Sequence, residues 1–366
     1  MFLRPRRTAA GKRLAAAARR QFIRRRFRQI RLEVLEDRRL LANVTWDGGG
    51  DGTTWGDRFN WSADTLPGAS DDVVIDVPES ATVRYTTGNT SVQSLVSQEA
   101  LIISGGALTI GHSSAINGSF AIDAGSTLRV QAGSCFNSTL TVASGFTNQG
   151  LIELTNAGGC GTAAKLNVAS GTLTNAATGT ISALAGDGGG RSLNAQLDNQ
   201  GTITVSQNLS IDNTSRTFTS TVGTLNVASG ATLTISNGTT VLGSATSFLG
   251  SGTVDLVGSH TLTLASNLTL PSTGATLGFG GSVTVNGPGV LINPGTLTLS
   301  NDTINTTLVN QGTLVVQGGA TLNGPLTAAS GSTLRVQAGS CFNSTLTVAS
   351  GFTNQGLMEL DRKSVV

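Results

Sequence analysis

A glycine followed by threonine and aliphatic residues recurs along this chain roughly every 22 residues, the mark of stacked repeats. The run GTITV at Gly201–Val205 returns as GTLNV at Gly223–Val227, GTVDL at Gly252–Leu256, GTLTL at Gly295–Leu299 and GTLVV at Gly312–Val316. Each reads as a turn glycine feeding a short strand, because aliphatic residues alternate with Thr, Ser or Asn as the two faces of a strand require. A turn-plus-strand unit repeated at constant spacing cannot bury its apolar side alone, but stacking neighbours gives one continuous core. The spacing therefore predicts a mainly β fold, a right-handed parallel β-helix (solenoid) with a coil of about 22 residues. No apolar pattern of helical period interrupts it between Val77 and Leu360.

Charge is divided unevenly. Residues 1–42 hold 14 of the 23 Lys and Arg and only three acids, so the remaining 324 residues carry about nine net negative charges. That body offers no basic surface for nucleic acid. The basic head has no apolar run long enough for a signal-peptide core or a membrane span, its longest being Leu14–Ala18. By itself it reads as a basic arm able to meet anionic membrane or nucleic acid. Residues 32–42 then read LEVLEDRRLLA. Leu35, Glu36, Arg38, Leu40 and Leu41 resemble the Leu-Glu-Pro-Arg-x-Leu-Leu segment near the start of large surface and secreted proteins of planctomycete-type bacteria, with Asp37 in place of the proline. The resemblance implies an extracellular or cell-surface destination and a β-rich body after the segment.

All three tryptophans, Trp46, Trp55 and Trp61, fall within residues 46–76, together with seven aspartates. The stretch is similar to segments that precede β-solenoids in bacterial surface proteins. A first coil has an open edge that invites aggregation, and large indoles can cover it, so these residues are expected to form an N-terminal cap. The alternative is a structural calcium ion on Asp47, Asp51 and Asp57, although their spacing fits neither an EF-hand nor a nonapeptide calcium repeat. No other cofactor is suggested.

Four Asn-Gln-Gly triplets, starting at Asn148, Asn199, Asn310 and Asn354, read as tight turns in which Asn and Gly supply positive φ. Asparagines at matching positions of successive coils could also share amide hydrogen bonds. This style of repeat resembles the β-helices of filamentous haemagglutinins and autotransporters. Residues 125–151 recur, letter for letter, as residues 331–357, which points to recent duplication or an assembly fault. Cys135 and Cys341 are equivalent in that duplication and read as small apolar residues inside their coils, while a bond from Cys135 to Cys160 of the next coil is the alternative. The final DRKSVV also matches the translation of a common sequencing adapter, so residues 361–366 are expected to be artefact, with the gene product continuing past Leu360.

Enzymes built on β-helices need carboxylates gathered on one face. Acids here are scattered, no catalytic motif occurs, and no two charges are expected at one coil position in neighbouring coils. Asp187 and Arg191, in the loop AGDGGGR, are the candidate ligand contact. The division is therefore a basic export segment (1–42), a Trp/Asp-rich cap (43–80), solenoid repeats (81–360) and the 361–366 tail. The expected role is a non-catalytic adhesin-like or structural stalk that contacts glycans or other cell-surface components; the alternative is a fragment of an extracellular polysaccharide-degrading enzyme.

Overall fold

The computed structural model describes residues 43–133, 135–339 and 343–362. Expectations for Leu35, Glu36, Arg38, Leu40, Leu41, Cys341 and residues 363–366 lie outside that set. Strands make up 55% of the chain and stack in parallel as a β-solenoid of about 13 coils, each about 22 residues long. At the inter-strand spacing of parallel sheets this unit is on the order of 60 Å long. The only helical pieces among the described residues are two single 3₁₀ turns, Arg58–Asn60 and Ser62–Asp64.

Each coil contributes one strand to each of three faces. In the first full coil these are Asp72–Ile75, Thr82–Tyr85 and Asn89–Val92; in the next, Ser94–Ser97, Ala100–Ile103 and Ala107–Ile110. The first coil with a strand on all three faces thus begins at Asp72. Strands pair in unshifted register along the third face, where Leu108, Leu128, Ile152, Ile181, Ile203 and Leu225 form one column. All six are buried, and their neighbours along each strand point outward. A β-strand turns alternate side chains to opposite faces, so one apolar residue in two lines the core continuously. Full burial of each such side chain stabilises by about 1.5–3 kcal/mol before chain entropy is counted.

The Asn-Gln-Gly turns work differently from expectation. Asn148, Asn199, Asn310, Gly150, Gly201 and Gly312 do not have positive φ. The glycine is required by close approach: a Cβ on Gly201 would overlap the carbonyl oxygens of Gly179 and Ala176 in the coil before. The asparagine is required because it points into the core. Asn148 Nδ2 donates to Asn175 Oδ1 at 2.8 Å, Asn175 Nδ2 to Asn199 Oδ1 at 2.8 Å, and Asn199 Nδ2 to Ser220 Oγ at 3.1 Å. A second buried ladder runs from Asn293 Nδ2 to Asn310 Oδ1 at 2.8 Å. The expected sharing of amide bonds between coils is present at these positions. Because every amide donates toward the later coil, the first acceptor of each ladder, Asn148 Oδ1 and Asn293 Oδ1, has no partner.

Two buried ionisable groups sit at the start of second-face strands. His260 Nε2 lies 2.9 Å from Thr240 Oγ1, and burial depresses its pKa to about 4. Asp302 accepts from Val283 N at 2.8 Å and Ser300 N at 2.6 Å, yet burial lifts its carboxyl to about 6. Opposite charges do meet at one coil position, contrary to expectation. Arg129 and Glu153 are register partners with Nε and Oε2 2.6 Å apart, and Arg335 and Glu359 repeat the pair at 2.6 Å. Half-exposed pairs of this kind contribute about 0–1 kcal/mol each.

Candidate functional site

At the N-terminal end, Asn43–Thr45 pairs with Asp72–Ile75, which carries Val44 and Trp46 inward over Val73 and Ile75. A single bridge sets Thr54 beside Arg84, and Trp55 N donates to Arg84 O at 2.9 Å. These residues extend the first and second faces by one rung. Trp61 sits between them, fully buried, its ring 4.9 Å from Trp46 and 4.7 Å from Trp55 in edge-on contacts. Trp61 Nε1 donates to Trp55 O at 2.7 Å, and Trp55 continues the stack onto Tyr85. Edge-on pairs suit the ring quadrupole, and the donor is satisfied without water.

The aspartates beside the indoles turn their oxygens to backbone amides. Asp51 Oδ1 accepts from Thr53 N at 2.8 Å, Thr54 N at 2.7 Å and Asn60 Nδ2 at 2.8 Å. These hydrogen bonds, those of Thr54 foremost, hold its carboxyl far below the ordinary range. Asp57 accepts from Phe59 N and Asp51 N at 3.0 Å each, and Asp47 from Gly49 N at 3.0 Å. Buried Asn60 completes the loop by accepting from Gly50 N and Gly52 N. Among the described residues no three His, Cys, Asp or Glu side chains gather as a metal-ligand set. The geometry gives Asp47, Asp51 and Asp57 the work of folding the loop.

The structure concentrates irregular backbone at one corner, where the chain passes from the third face to the first. The connections there lengthen from 111–113 to 133–137 and again to 157–163, and 184–190 keeps that length in the fourth coil. In repeat folds such insertions carry contacts with ligands, because the coils beneath hold them rigidly. Here the loops also hold one another. Thr162 Oγ1 donates to Gly133 O at 2.8 Å, Ala163 N to Asn137 Oδ1 at 2.8 Å, and Asp187 N to Asn156 O at 2.9 Å. Asn156, buried, donates to Thr162 O at 2.8 Å and accepts from Gly158 N at 2.6 Å. A disulfide joins Cys135 to Cys160 with Cα atoms 5.1 Å apart, inside the usual range for a bridge. Cys135 is therefore no apolar core residue: it sits exposed on a loop at φ 64°.

Arg191 and Asp187, both singled out by sequence, separate in role. Arg191 is buried, and its guanidinium donates to six carbonyls: Leu154, Leu184, Ala185, Gly188, Gly189 and Gly190. Burial lowers its pKa from the usual guanidinium value, and the carbonyl ring compensates the lost hydration. Arg191 closes its own loop and is spent as a ligand contact; Asp187 stays exposed on the loop surface. Sequence reading passed over Phe136 and His112. Phe136 is 58% exposed, and its ring lies 4.9 Å from the His112 ring at 32°. The signal that could have located this corner is the spacing of 29 residues from Gly150 to Gly179, longer than the usual unit.

A shallow groove of about 360 Å³ lies on another corner, lined by Ser244, Ala265, Ser266, Asn267, Pro288 and Gly289. No described helix is long and apolar enough to cross a membrane. No family model matches this chain, and neither the curated proteins nor the solved structures give a match.

Proposed function

We propose that this chain is a non-catalytic β-solenoid of the cell surface or extracellular space, an adhesin-like stalk whose polar flank and corner loops contact glycans. The observation that carries the reading is the outward pattern of the second face. Thr217, Thr239, Thr261, Thr284, Thr303, Thr321 and Thr347 follow one another in strict register over seven coils. Beside them the exposed amides of Asn286, Asn305 and Asn323 are linked at 2.6 and 2.7 Å. Such columns repeat the same weak hydrogen-bonding group along a stiff axis, so many contacts with a repeating polymer add by multivalency. The Cys135–Cys160 bond supports an oxidising compartment, since disulfides persist outside the cytosol. Carboxylates bound to structural tasks support the non-catalytic part: Glu153 and Glu359 pair with arginines, Asp302 is buried, and Asp51 orders a loop.

The test immobilises the whole chain on beads and measures retention of neutral polysaccharides together with release of reducing ends or unsaturated sugars. Retention without product is the expected outcome. Time-dependent release of oligosaccharides would overturn the non-catalytic reading in favour of a degrading enzyme. Placement at the surface is checked by protease shaving of intact cells, which should remove the protein.

A further inference from the structure

We infer that Phe136 and His112 form a stacking platform for one pyranose ring of a neutral polysaccharide, held in place by the Cys135–Cys160 bond. The inference rests on the glycan-binding reading above and gives that reading a site. Phe136 is the most exposed aromatic residue among those described, yet it is far from loose. It closes a tight turn by a reciprocal bridge with Gly133, its N–H donating to Gly133 O and its O accepting from Gly133 N. The residue before it is tied covalently to the next coil, and the residue after it accepts from Ala163 N at 2.8 Å. One side of its ring is backed by the His112 imidazole. Several independent constraints thus hold a phenyl ring in water, where exposure is unfavourable unless something covers it.

The size and surroundings of the patch narrow the occupant. A stable protein partner needs roughly 800 Å² from each side, and a single phenyl ring with a neighbouring imidazole is far smaller. A nucleobase could stack, but its phosphate would meet a body with about nine net negative charges. The apolar C–H face of a pyranose matches one aromatic ring in area. Exposed polar groups of the same corner loops, Ser113, the Asn137 amide nitrogen and the backbone of Gly159 and Gly161, are then available to its hydroxyls. The loops themselves carry no Lys or Arg and one exposed carboxylate, Asp187, and the flanking cations are Lys165, outward on the strand that follows the 157–163 loop, and buried Arg191, so a neutral sugar is favoured over a uronic acid polymer.

Affinity electrophoresis of the full chain in native gels cast with xylan, mixed-linkage glucan or galactomannan tests this, with dextran sulfate as the anionic control. The parent should be retarded by at least one neutral polymer. Phe136→Ala should raise the apparent Kd about tenfold, the size of one aromatic stacking contact, with an unchanged melting curve. The Cys135→Ser/Cys160→Ser pair should weaken binding while leaving Phe136 present, which a purely structural bond would not do. A Phe136→Ala protein whose Kd stays within about threefold of the parent's overturns the platform and leaves the broader reading standing. Retardation by dextran sulfate alone also overturns the platform. No retardation by any gel overturns both.

Discussion

Replacing Asn175 with alanine isolates the internal amide ladder from every other feature of the solenoid. Asn175 is fully buried; its Oδ1 accepts from Asn148 and its Nδ2 donates to Asn199, both at 2.8 Å. Removing it leaves Asn199 Oδ1 without a partner in the core. Asn148 Nδ2 keeps one bond, to Thr180 O at 3.2 Å. A buried acceptor left unsatisfied costs about 1–3 kcal/mol, and the lost bond about 1 more, so the expected destabilisation is about 2–4 kcal/mol. The control is Asn305→Ala in the exposed ladder, where water replaces the amide and the cost stays below about 1 kcal/mol. Solenoids unfold by units, so the assay should be local: hydrogen exchange of the strands Ala164–Asn175 and Arg191–Asn199, supported by urea unfolding. Exchange there should accelerate roughly 100-fold in Asn175→Ala and change little in Asn305→Ala. Asn175→Asp should be worse than alanine at pH 7, since it sets a buried carboxylate against an acceptor. Equal costs for Asn175→Ala and Asn305→Ala would refute the reasoning, because the buried ladder would then be no better than a surface contact.

Four further outcomes are expected. His260 has its pKa depressed from about 6.5 to about 4 by burial, so its contribution is complete above pH 6.5 and lost as pH falls toward 4; His260→Gln should remove that part of the acid-side fall in melting temperature. Trp61→Ala should cost about 3–5 kcal/mol, read as faster exchange of residues 43–92, while the far coils keep their protection. Non-reducing peptide mapping should recover a linked Cys135–Cys160 peptide, and reduction should destabilise by about 3 kcal/mol for a span of 25 residues. Calcium at millimolar concentration should leave the melting temperature unchanged, since Asp47, Asp51 and Asp57 are engaged by amides; a rise of several degrees would restore a calcium site there.

The architecture was legible because it depends on period alone. Gly201, Gly223 and the later turn glycines recur with the coil, and alternating strands such as Thr224–Val227 bury Leu225 and Val227 in any such stack. The pairing of Arg129 with Glu153 was missed because the two stand 24 residues apart, in a stretch where the coil is longer than its average. A fixed 22-residue window puts them out of phase. The loop corner was hidden for the same reason: insertions at 157–163 and 184–190 shift the phase, and only stacking reveals that both emerge at one place.

Composition and repeat spacing on their own determined that this chain would wind into parallel β coils, since burial in a strand follows every second residue wherever the coil lies. Three-dimensional contact alone decided what each irregular residue does. Arg191 has the chemistry of a ligand-binding cation until six carbonyls from two coils surround it, and Cys135 reads as apolar until Cys160 arrives beside it. The physical reason is range: periodicity is a local property of the chain, whereas satisfaction of a charge, an amide or a thiol depends on neighbours that the fold brings from 20 or more residues away.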